Sequence, residues 1–311
     1  MAGFQAHSDE AVGAAGVRIA DYCTHVEAAL LAEMRGELTA VPKRTLHRSG
    51  VYASSCHASW WTRGVVFYHN LFGADTARPG KAGPAYKSVQ LVVDEVTLEP
   101  VLALSGSVVS TMVPVAVSCL AAQRLASPQS SVLGLIGAGL QARLHLSALK
   151  SLFPLERVLL HSRSQASCAT LIAHANALGI DARAASPEET VAGSDIVVSS
   201  ISESLGIRPF LSFNWLRQGT FVSSVDLLRP WAAHASGTRR FLVADDPSQV
   251  TSLADEGRMP ACGVIDASLA QVLSGSVSVP AGPRAIVHPG CPSTLFGTTE
   301  AIRAALTARQ V

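Results

Sequence analysis

The sequence predicts an α/β protein: a Rossmann-type, doubly wound parallel sheet joined to an α+β domain for dimerisation and substrate binding. Three observations carry that prediction. An apolar strand, Val132-Leu133-Gly134-Leu135-Ile136, runs into Gly137-Ala138-Gly139-Leu140-Gln141-Ala142, a G-x-G-x-x-A turn with a helical segment behind it. Beyond it, apolar runs of strand length alternate with helical segments, the pattern of strands buried on both faces of a parallel sheet. The first part of the chain reads differently, as a helix, several β-rich pieces and a second helix.

In chain order, a helix is expected from about Ala11 to Gly36, and Val41-Pro42-Lys43-Arg44 leads from it into β-rich pieces that include Gly64 to His69 and Ser88 to Asp94. A helix over Val113 to Leu125 ends before Ser127-Pro128, because the residue preceding a proline is disfavoured in helical geometry. The domain junction is expected there. Residues 1–126 form the substrate and dimerisation domain, to which a helical segment within 291–311 returns, and residues 127–290 form the dinucleotide-binding domain. Within the latter, Arg157 to His161 is a strand, Gln165 to Leu178 a helix and Ile180 to Ala184 a short strand. Ser186-Pro187-Glu188-Glu189 reads as a helix start, with a serine N-cap, proline at the first helical position and glutamate at the third. Asp195 to Ser200, Thr220 to Asp226 and Phe241 to Asp246 are the remaining strands.

The glycine turn carries specific chemistry. Gly137 permits the tight turn, Gly139 lets the backbone approach a pyrophosphate, and Ala142 keeps the helix close to the strand. The helix start at Leu140 and Gln141 offers free N–H groups and a partial positive charge. About 20 residues on, where an NAD site usually places a carboxylate for the ribose 2′-hydroxyl, stands Ser162-Arg163-Ser164. A guanidinium and two hydroxyls there favour a 2′-phosphate, so NADP(H) is the expected cofactor with NAD(H) possible; a solvated arginine beside a helix-capping serine is the plainer reading. Ligands on such sheets lie at the carboxyl ends of the strands, which puts Ser199, Ser200, Val225 and Asp226 near the nicotinamide. Asp245 and Asp246 read first as a cap before Pro247.

Composition sets the limits. At 311 residues, 48% hydrophobic and 15% charged, the chain can bury a large core in two domains. A formal net charge of +1 and the absence of a basic stripe argue against nucleic acid as a partner. No run approaches the ~18 consecutive apolar residues of a membrane span, and Met1 to Ala20 has no apolar stretch of signal-peptide length, so a cytoplasmic protein is expected. Cys23, Cys56, Cys119, Cys168, Cys262 and Cys291 are widely spaced without a C-x-x-C pair, which argues against zinc and disulfides and for buried free thiols.

The chain resembles the ornithine cyclodeaminase/μ-crystallin family over most of its length. The resemblance rests on Val41-Pro42-Lys43-Arg44, on Asp94-Glu95-Val96-Thr97-Leu98-Glu99-Pro100-Val101-Leu102-Ala103, on the helix Ala116 to Ala122 and on Gly137 to Ala142 with its glutamine-alanine ending. It implies a homodimer built through the β-rich domain, an active-site cleft between the two domains, and a small amino or imino acid as substrate. By the same resemblance Arg44 matches a family arginine that helps bind the substrate carboxylate, and Asp226 matches the aspartate that faces the nicotinamide and handles the proton. Two family features are absent. The family's R-T-x-A, whose arginine clamps the carboxylate, is here Val113-Pro114-Val115-Ala116. The family's catalytic lysine aligns with Thr62 or Arg63, which makes Arg63 a second candidate for substrate binding. Lys87, beside the Pro/Gly-rich stretch Arg78 to Tyr86, is the candidate substitute for that lysine, a solvated loop residue being the other reading. Trp60, Trp61, His57, Tyr68 and His69 suggest a cleft more apolar and aromatic than one for a basic amino acid, interface core being the alternative. The resemblance implies an NAD(P)H-dependent oxidoreductase of the imine or ketimine reductase or amino-acid dehydrogenase type. The alternatives are a cyclodeaminase acting on ornithine and a non-catalytic NADPH-dependent binder of a small molecule.

Overall fold

This is a computed structural model of the 311-residue chain; it describes all residues except 1–3, 49–50, 61–63, 74–84, 95, 203–207, 233–239, 261 and 310–311. The chain divides into two compact units, Met1–Ala116 with Gly290–Val311, and Val117–Pro289. The division cuts through the helix Val108–Leu125 rather than following it at Ser127-Pro128.

The first unit opens with β1 (Gln5–His7), α1 (Asp9–Ala14) and α2 (Ile19–Met34), so the one helix expected from Ala11 to Gly36 is two. Ser8 caps α1, and Gly16, at φ +65°, turns the chain out of it through a conformation that other residues rarely adopt. The chain restarts at Arg18, whose guanidinium and backbone N–H both donate to Asp21 in the first turn of α2. Next come β2 (Leu38–Arg48), β3 (Val51–Trp60), β4 (Gly64–Gly73), β5 (Ala85–Val93) and β6 (Pro100–Gly106). With β1 they form a six-stranded sheet of order β1-β6-β5-β4-β3-β2, antiparallel except where β1 runs beside β6. One face buries Cys56, Ala58, Gln90, Val92, Leu102 and Leu104, with Trp60 packed on Phe296 of the C-terminal helix at 5.9 Å between ring centroids. Residues alternate between faces, so Val41, His57 and Val89 lie on the other face, where all three are exposed. Trp60 and His57 therefore do not line one cleft, contrary to the sequence expectation; Trp61 and the side chains of Tyr68 and His69 lie outside the described residues.

The helix α3 (Val108–Leu125) begins before the expected Val113, because the Asp9 carboxylate accepts hydrogen bonds from the Ser107 and Val108 N–H groups at 2.6 and 2.9 Å and caps it. By length and composition α3 could cross a membrane. A search for an unbroken apolar run misses it, since Ser110, Thr111 and Ser118 interrupt the sequence; in the structure Val115 to Ala122 are all buried.

The second unit is βα in alternation: β7 (Val132–Ile136), α4 (Leu140–Lys150), β8 (Arg157–His161), α5 (Gln165–Ala177), β9 (Asp181–Ala184), α6 (Pro187–Ala192) and β10 (Ile196–Ser199). It continues with β11 (Phe221–Ser224), β12 (Phe241–Ala244), α7 (Pro247–Asp255), β13 (Ala267–Ser268), α8 (Leu269–Ser274) and β14 (Arg284–Val287). The last helix, α9 (Pro292–Ala308), belongs to the first unit. The eight strands are parallel throughout in the order β13-β12-β14-β11-β10-β7-β8-β9. Strand order reverses between β7 and β10, the point at which sheets of this kind bind ligands outside their carboxyl ends. β13 and β14 are not marked in the sequence reading. β14 is four residues long and inserts between β11 and β12. The six thiols are buried and free.

Candidate active site

The carboxyl edge of the parallel sheet presents the predicted residues in strand order. Ser162-Arg163-Ser164 follows β8, the glycine turn follows β7, Ser199 ends β10 with Ser200 just beyond it, and Val225-Asp226 follows β11.

At the glycine turn, Gly137 has φ +103°, and a Cβ there would come within 2.9 Å of the Ser200 carbonyl oxygen. Its N–H donates to the His161 carbonyl at 2.8 Å, which ties the turn to the end of β8. A Cβ on Gly139 would meet nothing within 4 Å, so the approach to the backbone is open. Gly139 is the N-cap of α4 and, among the described residues, no side chain caps it. The first N–H groups of α4 are thus left for an external acceptor. Leu140 is 52% exposed over the same turn, Ala142 is fully buried beneath it, and the Ser200 hydroxyl is buried with no hydrogen-bond partner among the described residues. An open cradle, an uncapped eleven-residue helix and an orphaned hydroxyl together fit a dinucleotide pyrophosphate.

At the tip of β8, Ser164 caps α5, accepting from the Ser167 N–H at 3.2 Å, so its oxygen serves the helix. Ser162 accepts from the Ser164 N–H at 3.4 Å. Arg163 is exposed and makes no hydrogen bond or ion pair among the described residues. Its guanidinium is available to an anion.

Asp226 is 2% exposed. One carboxylate oxygen accepts from the Ser199 and Ser224 hydroxyls at 2.9 and 2.7 Å, the other from the Ile201 N–H at 3.1 Å. Trp231 Nε1 donates to Ser199 at 3.0 Å, and the Trp231 ring stacks on Phe213 at 4.5 Å between centroids. Burial raises the Asp226 pKa, and the three hydrogen bonds and the nearby Arg229 only partly oppose it. Leu227 and Leu228, both at φ +58°, follow directly, a pair of left-handed non-glycine residues held by the Ser224 hydroxyl and by Arg229. Ser199 thus points to Asp226, and the Val225 N–H donates to the Ser199 carbonyl at 2.9 Å. Neither group is directed outward. Asp245 is buried and Asp246 caps α7 through its carboxylate, as the capping reading expects.

On the opposite face of the sheet the structure assembles a cluster absent from the sequence reading. Successive strand residues point to opposite faces, so Ser223 faces away from Ser224 and Asp226. Its hydroxyl lies 2.7 Å from Ser118 Oγ on α3 and 2.8 Å from Nε2 of His288, which directly follows β14. Ser118 in turn lies 2.8 Å from His145 Nε2, and His145 Nδ1 lies 2.8 Å from the Gln141 carbonyl in the glycine-turn helix. Burial, with His145 nearby, pushes the His288 pKa down to about 3. A histidine one residue beyond a parallel strand is the signal that could have exposed this group, had β14 been recognised.

In the first unit, Arg44 is exposed on β2 next to a bulge between Val41 and Arg44, on the same face as Ser55 and His57. Lys87 lies within β5, paired with Leu71, and not in a loop; a run of nine strand residues overrides the Pro/Gly-rich flank. Its side chain, and Arg63 altogether, lie outside the described residues.

A parallel sheet with a dinucleotide turn at its switch point and a smaller mixed sheet beside it in the chain define a two-unit nucleotide-binding protein. The chain belongs to the ornithine cyclodeaminase/mu-crystallin family, whose model matches residues 10–234. Among its relatives is the ketimine reductase mu-crystallin of Macropus fuliginosus, 26% identical over 217 residues; the match takes in 69% of this chain and 65% of that protein, so the chain spans just under two thirds of it. In architecture it is similar to the Δ1-pyrroline-2-carboxylate reductase of Thermococcus litoralis solved with NADH and L-proline, with a TM-score of 0.83, 19% identity and 98% of each chain covered. It is similar also to an archaeal alanine dehydrogenase dimer with bound NAD, with a TM-score of 0.81, 18% identity and coverage of 99% and 97%.

Proposed function

We propose that the chain is an NAD(P)-dependent oxidoreductase that reduces the C=N bond of a small imino acid, with NADP(H) preferred over NAD(H). The observation that carries the reading is the order of groups along the carboxyl edge: an exposed guanidinium at Arg163, the open turn at Gly139, and the buried Asp226 two strands further on. Relatives named for ketimine and pyrroline-2-carboxylate reduction support the reaction type. Bound, the dinucleotide supplies hydride.

The chain's own residues do the rest. Arg163 meets the 2′-phosphate, and the first turn of α4 receives the pyrophosphate. Asp226, kept protonated to higher pH by burial, delivers a proton to the substrate nitrogen as its carbon is reduced. Arg44, and Arg63 with it, take the substrate carboxylate, and Lys87 is the replacement for the lysine that Thr62 or Arg63 displaces. Val113 stands where the family clamps that carboxylate, which removes a charge-assisted pair and disfavours ornithine cyclodeamination. The same loss favours the second reading, a non-catalytic NADPH-dependent binder. A homodimer joined through the open sheet face around Val41 and Val89 completes the assembly.

Initial rates of NADPH oxidation across a panel of cyclic and acyclic imino acids test this. The parent protein turns over at least one of them, and Asp226→Asn lowers that turnover by roughly 10²-fold while keeping cofactor affinity. Near-normal turnover in the variant reduces Asp226 to an anchor for the turn at Leu227, and tight NADPH binding without any oxidation selects the binder.

A further inference from the structure

The Asp226 carboxyl group is surrounded by donors whose direction is fixed. Trp231 Nε1–H only donates, and it fills Ser199 Oγ at 3.0 Å. The Leu228 backbone N–H likewise only donates, and it fills Ser224 Oγ at 2.8 Å. Each serine has one hydrogen left to place, and among the described residues the acceptor within reach of both is Asp226 Oδ1, at 2.9 and 2.7 Å. A carboxyl oxygen offers two lone-pair positions, so the two hydroxyls saturate Oδ1. Oδ2 accepts from the Ile201 N–H at 3.1 Å and keeps its second position open. Ser199, Ser224, Asp226 and Trp231 are all buried, which shields the arrangement from exchange with solvent.

We propose that Trp231 is a positioning residue for proton transfer: through Ser199 it commits Oδ1 to accepting, so that the proton Asp226 gives up is carried on Oδ2, the oxygen beside Ile201 beyond the end of β10. This rests on the reading of Asp226 as the proton donor. Both serines are held in place from behind. The Trp231 ring stacks on Phe213, and the Arg240 guanidinium lies 4.1 Å from the centre of the Phe213 ring. On the other side the Arg229 N–H closes a turn onto the Asp226 carbonyl at 3.3 Å, and the left-handed Leu227 and Leu228 inside it present the Leu228 N–H to Ser224. Non-glycine residues in that conformation persist only where surrounding contacts over-determine them. As hydride reaches the imine carbon, the C=N electron pair takes the proton from Oδ2, and Asp226 is left as a carboxylate whose Oδ1 already meets two hydroxyls.

Infrared difference spectra over a pH titration read the carboxyl group directly, and Asp226→Asn identifies its C=O band by loss. With the proton on Oδ2, Oδ1 is the carbonyl oxygen, and its two accepted hydrogen bonds hold the band low. Ser199→Ala removes one of them; Trp231→Phe keeps a ring against Phe213 but releases the hydroxyl that makes it. Both raise the band, Ser199→Ala the more. A proton on Oδ1 makes Oδ2 the carbonyl oxygen, and then neither variant moves the band. The groups facing the carboxyl are Ser199 and the Ile201 N–H from β10 and its end, Ser224 from β11, and Arg229, the charged group that acts on it. Ser199→Ala takes a donor from the charged form, so the titration and the basic limb of kcat/KM for imino-acid reduction both move up by about one pH unit. An unmoved band in both variants, whatever their unfolding midpoints, overturns the proposal, as does an unmoved limb. So does a band that Asp226→Asn does not remove, since Asp226 then holds no proton to place. If Trp231→Phe does not fold, Ser199→Ala decides by the same two readings. Failure of the parent to oxidise NADPH with any imino acid rejects the reductase reading itself, a result distinct from the band positions, which still decide where the proton lies.

Discussion

Arg163 and His288 are the two residues whose chemistry is most exposed to test. In the proposed NADP(H) site the Arg163 guanidinium, unengaged among the described residues, is expected to add about 1.5–3 kcal/mol through the 2′-phosphate, enough for a tenfold to hundredfold preference. The expected outcome is that NADPH binds tighter than NADH and that Arg163→Ala removes most of the difference while leaving NADH affinity nearly unchanged. Fluorescence titration of both cofactors reads this directly; equal affinities in the parent protein mean that Arg163 stays in solvent. His288 makes a prediction about stability. Its pKa is depressed to about 3 in the folded chain, against an ordinary histidine value near 6.5 when unfolded. The unfolded state therefore takes up the proton first, so this contribution is present above the unfolded pKa and is lost as pH falls toward the folded one. Between pH 7 and pH 5 the loss from this one group is about 2 kcal/mol. Asp226, with its raised pKa, acts in the opposite sense on acidification, so the comparison that isolates the histidine is parent against His288→Gln in urea unfolding at both pH values. A smaller decline in the variant is expected, and identical declines contradict the buried neutral state.

Among the elements, the β7 to α4 turn separates folding from binding. At Gly137 an alanine must hold φ +103° and press its Cβ to within 2.9 Å of the Ser200 carbonyl, so Gly137→Ala destabilises the fold by about 1–3 kcal/mol. At Gly139 the backbone is extended and the space above it open, so Gly139→Ala leaves the unfolding midpoint within about 0.5 kcal/mol yet blocks the approach of the pyrophosphate and weakens cofactor binding tenfold or more. Thermal melts and calorimetry on the pair check the division; equal effects on both properties in both variants would refute it. This turn was legible in the sequence because strand, glycines and helix are contiguous. Ser186-Pro187-Glu188-Glu189 was legible for the same reason, and its serine caps α6. What escaped was set by contacts distant in sequence. Asp9, which follows β1, caps α3 beyond the neighbouring strand β6 although about 100 residues apart in sequence, Gly16 divides the first helix, and β14 is four residues inserted between strands that precede it in the chain. The buried cluster of Gln141, His145, Ser118, Ser223 and His288 draws on α3, α4, β11 and the end of β14, and no local pattern announces such a set.

At the scale of the molecule, the second unit lines up the candidate cofactor-binding residues along one sheet edge, and the first carries a sheet whose described residues are buried on one face and exposed at Val41, His57 and Val89 on the other. The motifs of the glycine turn and of the β-rich segments sufficed for the family and the fold class, because each is contiguous in the chain, whereas Val113 stands where the family carries its clamp arginine. The claim on which the functional account depends is direct hydride transfer from nicotinamide to the carbon of an imino acid. NADPH carrying deuterium at the transferring position of nicotinamide C4, incubated with the protein and the imino acid that best supports oxidation, tests it by mass spectrometry of the product. The account predicts an amino acid one deuterium heavier, with the label on the α-carbon. An unlabelled product, or NADPH bound tightly and never oxidised, contradicts it.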